Sequence, residues 1–274
     1  MNNKHTVIAP IIDTRDGLSM IETSVVTNDN HRIGYFYVDT GASISIIDNN
    51  LVKSTGEDSS FCALGANDNN SQLSIVDFHI GKVAYRMNFH AVDKKLIPQE
   101  EGKVIVGILG IDFLKKNKCI IDFKKSALYI NIKKENPKKT IEINYDESGI
   151  PLIMINGGKG PMPCLLDTGS DSNIMSQGAL VNGSFTFSLT NKTDLLYGLG
   201  YKIKSTSAVV CFFNEGMGDG HFEEEFQIPT DEANAMLNIG KNKKVEIIIG
   251  SNFMKKNQWV LDFANSIIYR KAKE

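Results

Sequence analysis

The chain reads as an all-β protein built from one domain-sized unit used twice, and three observations carry that reading. The stretch Val38-Asp39-Thr40-Gly41-Ala42-Ser43 closes an apolar-alternating run and returns as Leu166-Asp167-Thr168-Gly169-Ser170, 128 positions later, from residue 39 to residue 167. A single Asp-Thr-Gly marks no more than a strand ending in a turn; its return with its flanks, Ile44-Ser45-Ile46-Ile47 and Ser172-Asn173-Ile174-Met175, marks duplication. Downstream, Val104 to Tyr129 is matched by Val245 to Tyr269, including Gly110 with Gly250, Phe113 with Phe253 and Asp122 with Asp262. Such a period is far too long for a solenoid and describes one domain-sized unit used twice. Finally, apolar alternation punctuated by Gly, Asn and Asp follows the hairpin cadence of an all-β chain.

The totals agree. With 274 residues, 42% apolar and 23% charged, the chain can bury a sizeable core in two modest domains. A formal net charge of −2 offers no electrostatic case for nucleic acid or an anionic membrane surface. The longest apolar run, Val104 to Ile111, is too short to span a bilayer, and Asp13 and Arg15 interrupt the N-terminal one. Cys62, Cys119, Cys164 and Cys211 show no CxxC spacing, so a disulfide framework is not expected and a cytoplasmic, reducing location is.

In chain order, strands are expected at 4–12 and 18–27 around an Asp16-Gly17 turn, with a second turn over Asn28 to Arg32 before the strand that delivers Asp39. Asp48 is placed to cap a short helical turn. Phe61 to Asn70 reads as a projecting hairpin, followed by strands at 73–80 and 83–92 joined at Gly81-Lys82. A buried strand at 104–109, a helical turn at 111–116 and strands near 118–123 and 127–132 complete the unit. The Lys- and Pro-containing stretch 133–139 is the linker, dividing the chain into lobes 1–136 and 137–274. The second unit repeats the order: strands at 140–145 and 150–156, a Gly157 to Gly160 loop, and the run to Asp167. That glycine-rich loop has no helix signal after it, so it is not read as a phosphate cradle. The second hairpin tip, Leu195 to Tyr201, answers the one around Gly65, and the extra length falls near this tip and at Asn214 to Gly220.

Two copies of one unit pack about a two-fold axis, which brings like features together. Asp39 and Asp167 are then expected to share one proton, because adjacent like charges cannot both ionise. One carboxylate acts as a base towards water and the other as an acid towards a carbonyl oxygen. Gly41 and Gly169 permit the close backbone approach, and Thr40 and Thr168 have hydroxyls that can bond across the axis. Ser170 is expected to donate to Asp167, a bond Ala42 cannot supply to Asp39.

Asp39-Thr40-Gly41-Ala42 and Asp167-Thr168-Gly169-Ser170, each followed by an apolar-Gly pair and a Phe-Leu or Phe-Met turn, resemble the aspartic peptidases of the pepsin and retropepsin superfamily. The resemblance covers nearly the whole chain. It implies a hydrolase of the aspartyl protease type: an all-β fold of two homologous pepsin/retropepsin-like β-barrel lobes with a cleft between them, catalytic Asp39 and Asp167, a water nucleophile, no cofactor, and a hairpin flap over an extended peptide or protein substrate. The whole looks like a fused retropepsin dimer, expected to act as a monomer without nucleic acid or membrane. The flap candidates are Leu64, Gly65 and Ala66 in the first lobe and Tyr197, Gly198, Leu199 and Gly200 in the second. Neither tip has the glycine-rich retroviral flap, the first lacks the tyrosine of pepsin's, and the 38 residues before Asp39 leave no room for a pepsin-type prosegment. The alternative is a catalytically inactive peptide-binding or scaffold module of the same fold.

The remaining candidates are weaker. His221 with Glu223, Glu224 and Glu225 is read as an acidic, solvent-facing loop in preference to a metal site. Asp122 and Asp262 are read as turn residues, and Cys164 as a core residue.

Overall fold

The computed structural model describes residues 6–27, 30–52, 58–63, 66–132, 137, 139–198, 201–213, 221–229, 238–239 and 243–270. The first unit contains β1 (Val7–Pro10), β2 (Ile12–Asp13), β3 (Ser19–Thr27), β4 (Asn30–Val38), β5 (Ile46–Asp48), β6 (Asp58–Ala63), β7 (Ala66–Ile80), β8 (Val83–Val92) and β9 (Ile105–Leu109). Helix α1 (Ile111–Lys116), β10 (Ile120–Asp122) and β11 (Ala127–Ile130) follow. The second unit contains β12 (Ile141–Glu142), β13 (Asn144–Tyr145), β14 (Pro151–Gly157), β15 (Gly160–Asp167), β16 (Ile174–Met175), α2 (Gln177–Asn182), β17 (Thr186–Gly198), β18 (Tyr201–Phe213) and β19 (His221–Pro229). It closes with β20 (Asn238–Ile239), β21 (Lys243–Lys244), β22 (Ile247–Gly250), α3 (Ser251–Lys256), β23 (Trp259–Asp262) and β24 (Ile267–Arg270).

The repeat in sequence is a repeat in topology. One sheet runs β2-β3-β4-β9-β5-β8-β7-β6 and closes through β3–β7; the other runs β13-β14-β15-β22-β16-β19-β18-β17 and closes through β14–β18. Closure removes most free strand edges. In each barrel the strand delivering the Asp lies parallel to a fully buried strand, β4 on β9 and β15 on β22. These central strands are apolar throughout because side chains leaving either face meet protein. The paired Phe113 and Phe253 anchor the short helices: Phe113 packs edge-on to Tyr85 at 5.5 Å, and Phe253 edge-on to Trp259 at 5.1 Å.

A third sheet, β1-β11-β10-β23-β24-β12, draws strands from both units. Ile121 faces Leu261 at its centre, and Phe123 N–H to Trp259 O (3.0 Å) mirrors Phe263 N–H to Cys119 O (3.0 Å), which marks a pseudo-two-fold axis. Buried Asp122 and Asp262 accept turn N–H groups, from Lys125 at 3.1 Å and from Ala264 at 2.9 Å, as expected of turn residues. Around the axis each early turn meets the opposite helix. Lys255 Nζ donates to Asp13 Oδ1 (2.6 Å) and Gly17 O (2.5 Å), while Lys115 Nζ stands 3.5 Å from the Tyr145 ring centre.

Several elements differ from the sequence reading. Strand β4 starts at Asn30, because the β3–β4 ladder continues to Thr27↔Asn30, so residues 30–32 of the expected turn are strand, and residues 28–29 lie outside the described residues. His221 to Glu225 belongs to β19 and not to a loop. Phe222 is buried and stacks on Phe212 at 5.1 Å, while Glu224 and Glu225 pair with Lys256 and Lys192. Among the described residues no three His, Cys, Asp or Glu side chains are grouped as metal ligands. Helix α2 was not expected; Ser176 Oγ caps it, accepting the Ala179 N–H at 2.9 Å. Asp48 caps the 3-10 turn Asn49–Leu51 as predicted, accepting the Asn50 N–H. Most of the 133–139 linker and all of Asn214 to Gly220 lie outside the described residues. No helix among the described residues is long and apolar enough to cross a membrane.

Candidate active site

Asp39 follows the last residue of β4, and its N–H donates to Leu109 O on β9 at 3.0 Å. Asp167 ends β15, opposite Gly250. Each following loop is tied to the start of a helix in the same way. Ile111 N–H donates to Ala42 O (2.9 Å) and Ser251 N–H to Ser170 O (2.7 Å). Gly110 N–H donates to Ser45 Oγ (3.0 Å), and Gly250 N–H to Asn173 Oδ1 (3.0 Å). The matched flanks noted in the sequence are these tethers.

The loops then grip one another. Thr40 N–H donates to Thr168 Oγ1 and Thr168 N–H to Thr40 Oγ1, both at 3.0 Å. The hydroxyls reach further across: Thr40 Oγ1 donates to Leu166 O (2.7 Å) and Thr168 Oγ1 to Val38 O (2.6 Å). Both threonines are buried, so each bond is made away from competing water. Replacing Thr40 by Val leaves Leu166 O and Thr168 N–H buried without partners. Its expected cost is about 2–4 kcal/mol of stability, checked by urea unfolding.

This grip brings the two carboxyls into hydrogen-bonding contact. Glycine is required beside them. A Cβ on Gly41 would lie 2.5 Å from Asp167 Oδ1, and one on Gly169 would lie 2.4 Å from Asp39 Cγ. Asp39 Oδ1 accepts the Gly41 N–H and Asp167 Oδ1 the Gly169 N–H, each at 2.8 Å.

The electrostatics are uneven. Burial raises both carboxyls above the ordinary carboxylate range. Asp167 is raised well above it, because the charge on Asp39 and their shared hydrogen bond add to its burial. For Asp39 the same hydrogen bond acts downward, together with backbone donors Gly41, Ala42 and Gly169. The two carboxyls therefore titrate as one pair that holds a proton above the ordinary carboxylate range.

One sequence expectation fails here. Ser170 Oγ donates to Ser172 O at 2.8 Å, not to Asp167. A serine hydroxyl has a single proton and takes the near carbonyl two residues on, while Asp167 is served by the backbone N–H groups of Gly169 and Ser170. The difference between the carboxyls thus comes from their mutual charge and hydrogen bond, not from Ser170. Of the flap candidates, Ala66 begins β7, and Tyr197 and Gly198 end β17 at the head of a ladder closing with Gly198↔Tyr201. Leu64, Gly65, Leu199 and Gly200 lie outside the described residues. Cys164 is fully buried and its thiol is pushed up by that burial, far from a reactive thiolate.

No family model matches the chain. Over 147 residues, 51% of its length, it is 30% identical to the retrovirus-related Pol polyprotein from transposon 412 of Drosophila melanogaster. The match takes in 11% of that polyprotein, so what the chain is similar to is one stretch of a far longer protein.

Proposed function

We propose that the protein is an aspartic-type endopeptidase with Asp39 and Asp167 as its catalytic pair, working between lobes 1–136 and 137–274. The observation that carries this reading is the pairing of two carboxyls in hydrogen-bonding contact, held by the crossed threonine bonds and both raised by burial. Asp39 and Asp167 share the acid and base roles: the ionised member takes a proton from water as the water oxygen attacks the scissile carbonyl, while the protonated member gives its proton to the carbonyl oxygen. Return of a proton to the leaving amine breaks the C–N bond and frees two peptides. The substrate is an extended peptide, which the flap candidates Leu64 to Ala66 and Tyr197 to Gly200 would cover as an added strand. Similarity to part of a Pol polyprotein is in keeping with this reading.

The test is hydrolysis of a mixed peptide library between about pH 3 and pH 8, wild type beside Asp39→Asn. The expected profile is bell-shaped, its two limbs belonging to the pair and not to either residue. Peptide binding without hydrolysis at any pH would favour the inactive scaffold instead.

A further inference from the structure

The first barrel closes along a narrow seam. Strand β3 lies between β4 and β7, and it meets β7 at two residue pairs, Ser24↔His79 and Val25↔Phe78, against eight with β4. Val25 and Phe78 are fully buried in the core, so their neighbours Ser24 and His79 lie on the outer face of the sheet. His31 faces Val26, two residues along β3 on that same side. There the imidazoles of His31 and His79 come together beside Ser24, with ring centres 5.5 Å apart and planes inclined at 51°. Two imidazoles that share one tetrahedral ion, each nitrogen about 2.0–2.1 Å from it, have ring centres roughly 5 Å apart. The observed pair is a small side-chain rotation from that arrangement.

The polar contacts point the same way. Ser24 Oγ lies 3.2 Å from His31 Nδ1. Ligating histidines commonly donate through their second nitrogen, and a bond donated here leaves the His31 Nε2 lone pair uncommitted. His79 Nδ1 is buried and has no hydrogen-bond partner among the described residues. His31 is exposed, so the pair opens to solvent on its side. Asp77, on the same face of β7, is engaged by Arg86 at 3.4 Å. The second barrel does not repeat the pair: it closes at Asn156↔Phe213, which puts Phe213 in the place of His79 and Lys159 in the place of His31.

We infer that His31 and His79 form a binding site for a divalent cation of the zinc class, with one ring nitrogen from each histidine and water in the remaining positions. Imidazole nitrogen suits such ions, whereas calcium and magnesium take oxygen ligands. The ion ties β4 to β7 across β3, and so clamps the seam where the first barrel has fewest backbone pairs. Strand β4 is the one that leads to Asp39, but the site stands apart from the peptidase reading and does not rest on it.

The test is a titration of the chelator-treated full chain with zinc chloride at about pH 7.5, where an ordinary imidazole is neutral. It is followed by NMR of the imidazole rings and by thermal unfolding. The ring signals of His31 and His79 are expected to move together and saturate at one zinc per chain. Tm is expected to rise by several degrees when zinc stands about 100-fold above its dissociation constant. His31→Gln and His79→Gln are each expected to weaken zinc binding at least about tenfold and to remove most of the Tm gain. His90→Gln and His221→Gln are expected to leave both unchanged, as is magnesium in place of zinc. Should His79→Gln fail to fold, His31→Gln carries the test, since its side chain is exposed. Zinc that moves neither ring, or that binds His31→Gln as tightly as the wild type, overturns the inference. Peptide hydrolysis is not among the readouts, so either result leaves the peptidase reading where it was.

Discussion

Asp167→Asn is expected to lose cleavage by at least about 10²–10⁴-fold and, at neutral pH, to unfold at a higher temperature than the wild type. Both effects come from one proton. The activity is lost because an amide cannot exchange that proton with substrate. The stability change follows from the raised pKa of the pair, caused first by burial and, at Asp167, next by the Asp39 charge. A carboxyl whose folded pKa lies above its unfolded value stabilises the fold below the unfolded value, and the contribution is lost as pH rises through the folded one. The wild type therefore weakens from the ordinary carboxylate range near 4 upward, whereas the Asn variant has no such loss from this position. Other carboxyls titrate in both proteins, so the quantity to read is the difference in Tm between variant and wild type, measured by calorimetry from about pH 3 to pH 8. A difference that stays constant across that range would mean that Asp167 titrates like an exposed carboxyl.

Gly169→Ala is expected to reduce kcat by about 10²-fold while leaving the circular dichroism spectrum unchanged. The added Cβ would stand 2.4 Å from Asp39 Cγ and 2.5 Å from both of its oxygens, closer than real Cβ contacts allow. Something must move, and the loop is the part least free to do so, tied by the Thr168 bonds and by the Gly169 N–H to Asp167. The Asp39 carboxylate is displaced instead, and a misplacement of about 1 Å in a reacting group costs on this order. Gly41→Ala presents the mirror case, with its Cβ 2.5 Å from Asp167 Oδ1. Single-turnover kinetics separates this from weaker binding, since the expected change lies in kcat and not in KM.

The parts of the site that could be read from the chain are those the duplication repeats. Asp39 and Asp167, the threonines between them and the glycines beside them each appear twice at matched spacing, and symmetry alone brings them together. What could not be read is what breaks the symmetry or depends on distant pairing. Helix α2 includes Gly178, Val181 and Asn182, poor helix formers, and is specified by one serine cap and by burial of Ala179 and Leu180. Strand β19 was hidden because Glu223, Glu224 and Glu225 mask the alternation of Phe222, Phe226 and Ile228 towards the core. The Ser170 hydroxyl had two acceptors within reach, and nothing local in the sequence says which it takes. The shared sheet uses strands of two to four residues, too short for periodicity to announce which strand lies beside which.

That shared sheet sets an order of events while the chain is being made. Strand β10 has β11 on one side and β23 on the other, and Ile121 waits for Leu261, 140 residues later in the chain. At a synthesis rate of about 5–20 residues per second, the interval is roughly 7–28 s. Throughout it the newly formed N-terminal half presents an open strand edge, the kind of surface on which nascent chains stick to one another. Its length is the safeguard: Ile120, Ile121 and Asp122 form only three residues of strand, ending in a carboxylate, too little to template a stranger before the proper partner arrives.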